Sequence, residues 1–208
     1  MDVEQAYNKW AGQYDINSNK TRDLEAISLR TTLQNIQFSN CLELGCGTGK
    51  NTEWLMSKAK QVMAVDFSTE MLAKAREKIK ADNVQFIQAD INKPWTFVNQ
   101  QYDLITFSLV LEHVEHLNGI LEKASNASRP QGIVYIGELH PFKQYAGTKA
   151  RFDTEAGEQN VPCFNHHVSD FTLSAKNNDF EIMEIGEYFD DNDRATTPRI
   201  LTLLLVKK

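Results

Sequence analysis

Residues Cys41–Gly49 read C-L-E-L-G-C-G-T-G, a short apolar strand that runs into three alternate glycines with an acid two residues before the first of them. A strand ending in glycines and handing over to a helix, here from Asn51 onward, brings bare backbone N–H groups to the strand's carboxyl end, where a polar ligand can sit close. The spacing narrows the ligand. A dinucleotide fingerprint places its glycines at relative positions 1, 3 and 6. Gly45, Gly47 and Gly49 fall at 1, 3 and 5, and position 6 is Lys50, whose side chain would crowd the helix-to-strand packing that a last glycine allows.

The following segments predict a parallel sheet. Gln61–Asp66 (Q-V-M-A-V-D) is apolar and β-prone and ends in an acid 21 residues after Gly45, the position of a second-strand carboxylate that accepts from ribose hydroxyls. Ser68 then reads as an N-cap, with Met71, Leu72 and Ala75 as the apolar stripe of a helix. Val84–Asp90 alternates and closes on an acid, Tyr102–Leu109 is the next apolar run, and Gly132–Leu139 follows the turn R-P-Q-G. Gln131 takes a place that suits glycine, which a turn tolerates if the residue keeps negative φ. Strands alternating with helical segments give a doubly wound α/β sheet with its ligand at the strands' carboxyl ends. Glu181–Tyr188 and Ile200–Lys207 are joined by a link too short for a helical crossover, so they should pair antiparallel.

Several strings carry a resemblance. E-x-G-x-G-x-G over Glu43–Gly49 resembles motif I of the class I S-adenosylmethionine-dependent methyltransferases, and D-x-S-x-x-M-L-x-x-A over Asp66–Ala75 recurs in that class. S-L-V-L-E-H-V from Ser108 resembles a helix opening of its small-molecule (type 11) branch. Y-N-K-W-A-G-Q-Y-D from Tyr7 is similar to the opening of the ubiquinone-type and biotin-type members. The resemblance covers roughly residues 5 to 207 and implies a seven-stranded, mostly parallel Rossmann-like sheet with an antiparallel C-terminal pair. It implies S-adenosylmethionine as cofactor, with Glu43 anchoring the methionine amine, directly or through water. Gly45, Cys46, Gly47 and Gly49 would approach the methionine, and Asp66, Phe67 and Met71 the nucleoside. Asp90 would meet the adenine amino group and the Ile91 N–H the ring, with Phe107 at the end of strand four and Tyr14 over the methionine end.

The chain reads as a single domain. Residues 1–22 form an N-terminal lid, 40–139 a cofactor-binding core, 140–168 a substrate lid and 169–208 a final helix and strand pair. Its 208 residues can bury a substantial core. A net charge of −6 without a basic run argues against nucleic acid as partner and favours a small-molecule acceptor. No stretch resembles a signal peptide or approaches the roughly 18 apolar residues of a membrane span, so no membrane partner and a cytoplasmic location are expected. Three cysteines without C-x-x-C spacing suit a reducing compartment; Cys163 is the one with an opening for chemistry as nucleophile or soft-metal ligand. Monomer and homodimer both stay open.

A base is optional for a methyl donor already activated as a sulfonium, but His140, after strand five, is a candidate general base or positioning group. His166 is a second candidate, because V-S-D-F from Val168 resembles the segment that follows a histidine in relatives; its neighbour His167 should face the other way. Lys143, Lys149 and Arg151 could receive a substrate carboxylate, although Asp153, Glu155 and Glu158 nearby favour a solvated, internally paired lid. No metal is expected, since Glu138, His140, His166 and His167 offer no short-range ligand pair. A non-catalytic module that binds S-adenosylmethionine, or an enzyme methylating a protein side chain, are the competing readings. The retention of Glu43, Asp66 and Asp90 disfavours the first.

Overall fold

The computed structural model describes residues 3–16, 18–149, 151–154 and 157–208, with the backbone alone at 151–154 and 157–160. The side chains of Arg151, Phe152, Asp153, Glu155 and Glu158 therefore lie outside the described residues. The strands are β1 (Asn40–Leu44), β2 (Gln61–Asp66), β3 (Val84–Gln88), β4 (Tyr102–Ser108), β5 (Ser128–Leu139), β6 (Arg151–Thr154), β7 (Gly157–Asn160), β8 (Phe180–Tyr188) and β9 (Ile200–Lys207). The helices are α1 (Val3–Tyr14), α2 (Lys20–Leu33), α3 (Thr52–Lys58), α4 (Thr69–Lys78), α5 (Leu117–Ala127), α6 (Pro141–Tyr145) and α7 (Val168–Asn177).

Seven strands form one sheet in the order β3-β2-β1-β4-β5-β9-β8. The first five are parallel and β9 runs antiparallel between β5 and β8, the mixed sheet expected from the short final link. Strand alternation divides the core between the two faces. Leu42, Leu44, Ile105, Phe107, Val134 and Ile136 pack with α5 and α7 on one side. Cys41, Val62, Ala64 and Leu104 pack with Leu29 and Leu33 of α2, Leu55 of α3 and Leu72 of α4 on the other. Ser68 accepts from the Met71 N–H at 3.2 Å and caps α4 as its sequence predicts.

Three details depart from the reading of the sequence. Residues 89–101, between β3 and β4, hold no helix, and Trp95, Phe97 and Val98 close that side of the core. Gln131 does adopt positive φ (60°), with its Nε2 donating to the Lys207 carbonyl at 3.3 Å. The expected irregular lid contains α6 and the β6–β7 hairpin. Among the described residues no helix is long and apolar enough to cross a membrane.

Candidate active site

At the carboxyl ends of β1 to β4 lies a cavity of about 150 Å³. Each strand ends in a segment that supplies one wall: Gly45 and Gly47 after β1, Asp66 and Phe67 from β2, Asp90 and Ile91 after β3, and Leu109, Val110 and His113 after β4. Helix α1 roofs it with Tyr7 and Tyr14.

The glycine loop is shaped by contacts that exclude side chains. Gly45 sits at φ 78°, and a Cβ there would lie 2.7 Å from Cβ of Val110, so the position is closed to other residues by conformation and by space. A Cβ on Gly47 would meet only Tyr14 Cε1, at 4.0 Å, which leaves a bare backbone shelf open to the cavity. The Gly47 N–H donates to Oδ2 of Asp66 at 2.8 Å and the Ser68 N–H to Oδ1 at 2.9 Å. Each carboxylate oxygen keeps a further lone pair for a ligand hydroxyl. Burial pushes this carboxyl up to about 6, against the pull of its backbone donors.

The loop after β3 is held from below. Lys123 on α5 donates to three successive carbonyls, those of Ile91, Asn92 and Lys93, at 2.9, 3.0 and 2.9 Å. Trp95 Nε1 donates to the Ile91 carbonyl as well, at 2.9 Å, and the Asn92 N–H closes onto Asp90 Oδ1 at 2.8 Å. The peptide that follows Asp90 is thereby fixed in orientation.

The roof helix is tied down at several points. Asn8 Oδ1 accepts from Ser68 Oγ at 2.7 Å, and Asp15 accepts from Thr48 Oγ1 and pairs with Lys78, both at 2.7 Å. Tyr7 OH lies 2.8 Å from His113 Nε2, and His113 Nδ1 lies 2.8 Å from the Pro162 carbonyl. A carbonyl only accepts, so Nδ1 carries the proton and Nε2 accepts from Tyr7. Ala6 and Trp10 pack on Val161, which joins the roof to the 140–168 segment. The Arg22 guanidinium stacks 3.9 Å from the Tyr14 ring centroid and donates to the Tyr14 carbonyl.

A second cavity, of about 320 Å³, adjoins the first through Tyr7, Tyr14 and Leu109, which line both. Leu109 holds a left-handed backbone (φ 53°) at this junction, a strained state for a residue with a γ-branched side chain. Glu112, Lys20, Arg22, Lys149 and Arg199 contribute the second cavity's charged lining.

Of the residues expected to bind cofactor, Tyr14, Gly45, Gly47, Asp66, Phe67, Asp90 and Ile91 line the first cavity. Five do not. Glu43 shares the face of Cys41 by strand alternation, so its buried carboxyl turns to α3 and accepts from Thr52 Oγ1 at 2.5 Å. Burial and the neighbouring Glu25 and Asp66 charges push it up to about 8. Cys46 and Phe107 belong to the two core clusters, and Met71 is 1% exposed. Gly49 admits the helix packing, since a Cβ there would lie 2.8 Å from Ile79 Cδ1.

Neither candidate histidine reaches the cavities. His140 is buried as the N-cap of α6: its Nδ1 accepts from the Phe142 N–H at 3.2 Å and its Nε2 faces Glu187 at 3.2 Å. Burial lowers its pKa, and both nitrogens are engaged. His166 is also buried, with Nε2 donating to the Val114 carbonyl at 2.7 Å and its ring edge against Phe171. The histidine at the cavity is His113, within the S-L-V-L-E-H-V string that resembles a helix opening. Its segment forms a short 3-10 turn (Leu111–His113) instead, set by Glu138, whose Oε1 accepts from the N–H groups of Val110 and Leu111 at 3.0 and 2.8 Å.

Glu112, His113 and Cys163 bring ligand atoms within 4.8 Å of one another, the group among the described residues suited to a metal ion. Both imidazole nitrogens are already bonded, so an ion there would displace Tyr7 from Nε2.

Comparison with known proteins agrees with this architecture. Residues 42–136 match the family model of a methyltransferase domain. The chain is 24% identical to an uncharacterized methyltransferase of Emericella nidulans over 98% of its own length and 84% of that protein's. It is 28% identical to the malonyl-[acyl-carrier protein] O-methyltransferase of Enterobacter lignolyticus, covering 66% of this chain and 53% of that one, so it spans about half of that relative. The solved N-methyltransferase NodS of Bradyrhizobium japonicum, in complex with S-adenosyl-L-homocysteine, superposes with a TM-score of 0.74 at 17% identity, covering 100% of this chain and 99% of that one, a likeness of fold. The glycine loop and the acid-ended strands that surround one cavity thus lie in a stretch that matches a methyltransferase domain, residues 42–136, in a chain with the fold of solved S-adenosylmethionine-dependent methyltransferases.

Proposed function

We propose that the 150 Å³ cavity holds S-adenosylmethionine and that the methyl group passes by in-line displacement to a small-molecule acceptor in the neighbouring cavity. The convergence of the Gly47 shelf and the Asp66 carboxylate on one cavity supports this reading most directly. Asp66 would take the ribose hydroxyls on its spare lone pairs. The fixed peptide after Asp90 would face the adenine, and Gly45, Gly47 and Tyr14 would enclose the methionine end.

The sulfonium supplies an already activated methyl group. The chain's own work is to orient the nucleophile and exclude water, and orientation alone can lower a barrier by roughly 7 to 11 kcal/mol. Residues 1–22 and 140–168 would serve as lids, both contributing to the packing around Trp10 and Val161. Three free cysteines favour the cytoplasm as the working compartment, and the net charge of −6 disfavours a nucleic-acid acceptor.

A thermal melt tests the cofactor assignment. S-adenosylhomocysteine at about a hundredfold its dissociation constant should add roughly 2.7 kcal/mol, about 5 to 10 °C for a domain of this size. The shift should vanish in Asp66→Ala and be absent with NAD. No shift with the wild-type chain would overturn the assignment and leave a scaffold without cofactor.

A further inference from the structure

The second cavity combines features that the methyl-donor site does not explain. Its lining carries four cations, Lys20, Arg22, Lys149 and Arg199, against one acid, Glu112, in a chain whose net charge is −6. Arg199 is held by Asp190 through two contacts of 2.5 Å and by Thr21 through its Nη1. Arg22 is committed to the Tyr14 ring and carbonyl, which fixes its position on the wall. No salt bridge among the described residues joins Lys20 or Lys149 to a carboxylate. Like charges gathered around a concave surface raise the local potential and draw in an anion.

Glu112 lines the second cavity, next in sequence to His113 of the first. It is 6% exposed, its Oε1 lies 3.8 Å from His113 Nε2, and its Oε2 is buried without a hydrogen-bond partner in the structure. An unsatisfied carboxylate oxygen in such a place is costly unless a ligand proton meets it.

Building on the methyltransferase reading, we propose that the second cavity seats the methyl acceptor by an oxyanion, carboxylate or phosphate in type. Lys20, Arg22 and Lys149 would form the cationic wall, with Glu112 beside the acceptor's hydroxyl or amine. As the nucleophile's lone pair forms the new bond to the methyl carbon, the sulfur–methyl bond breaks and sulfur keeps its electron pair. The nucleophile's proton passes to Glu112. Donor and acceptor become thioether and methylated product, and no further reactant is needed.

The test uses the full chain saturated with S-adenosylhomocysteine, titrated calorimetrically with inorganic phosphate and separately with malonate, at constant ionic strength in chloride. At least one should bind, and which one does assigns the oxyanion as phosphate or carboxylate. Lys20→Ala combined with Lys149→Ala should weaken that binding at least tenfold while S-adenosylhomocysteine still binds. Glu112→Gln should leave anion binding within about twofold. Once an acceptor carrying the assigned oxyanion is in hand, the same substitution should lower kcat at least tenfold with little change in KM. Failure of both anions to bind the loaded wild-type chain, or binding indifferent to the lysine substitutions, overturns the proposal. If S-adenosylhomocysteine itself does not bind, the cofactor reading has failed instead, and the two failures are distinct.

Discussion

Tyr7 of the roof helix donates its hydroxyl to Nε2 of His113 across 2.8 Å, and His113 passes the connection on to the Pro162 carbonyl. One imidazole thus joins the N-terminal helix, the turn after β4 and the 140–168 segment. Tyr7→Phe keeps the ring and leaves Nε2 without its donor, a cost of about 1 to 2 kcal/mol. Calorimetry should show a melting temperature roughly 2 to 8 °C lower, with S-adenosylhomocysteine bound several-fold more weakly. An unchanged melt would show that this bond does not hold the roof.

Gly45 and Val110 are predicted to be energetically coupled. Gly45→Ala places a methyl 2.7 Å from Val110 Cβ while keeping a φ of 78°. Val110→Gly on that background removes the clash and leaves the backbone strain. Denaturant unfolding of the two single variants and the double should therefore give a coupling of about 1 to 3 kcal/mol in the sense of rescue. Additive losses would mean that strain at φ accounts for the whole effect.

Lys123→Met preserves the aliphatic stem and removes three donors to the carbonyls of residues 91–93. The amine is largely solvated, so the stability loss should be modest, about 1 kcal/mol. The loop itself should loosen, seen as faster amide exchange at residues 90–93 and weaker binding of S-adenosylhomocysteine. Exchange rates equal to wild type would sink the clamp.

Stability should fall as pH rises. Burial holds the Glu25 carboxyl at about 7, although it accepts from Asn51 Nδ2 at 2.9 Å and Tyr135 OH at 3.2 Å. In the unfolded chain it ionises near pH 4. Between those values the native state holds the proton that the unfolded state has lost, so the unfolding free energy declines through that window. Glu43 and Glu138, both pushed up to about 8, extend the decline to higher pH. Melts should be higher at pH 5.5 than at 8.5, and Glu25→Gln should flatten the slope between about pH 4 and 7. A wild-type melt that rises across this range would contradict the assignment.

The sheet was legible because its signals are local: apolar runs that end in acids, a serine cap before α4, and a final link too short for a crossover. The glycine loop and Asp66 were legible for the same reason. Glu43 was not, because a motif gives its position on β1 but its direction depends on which helix covers that face. His140 looked like a mouth residue by strand order, yet Pro141 begins a helix there and draws the ring into a cap. His113 was hidden by the opposite effect: a buried glutamate from β5 folds its segment into a 3-10 turn that swings the imidazole toward the roof. Such placements are set by contacts between distant segments, which spacing along the chain does not record.

Tyr7 and Tyr14 belong to the linings of both cavities, so one helix covers both sites. A displacement of this helix therefore alters both linings at once, and the bonds from Asn8, Asp15 and Tyr7 resist it. If exchange of both occupants awaits that displacement, departure of products is slower than methyl transfer. Donor and acceptor would enter a shared vestibule, and a burst of product in the first turnover would precede a slower steady state.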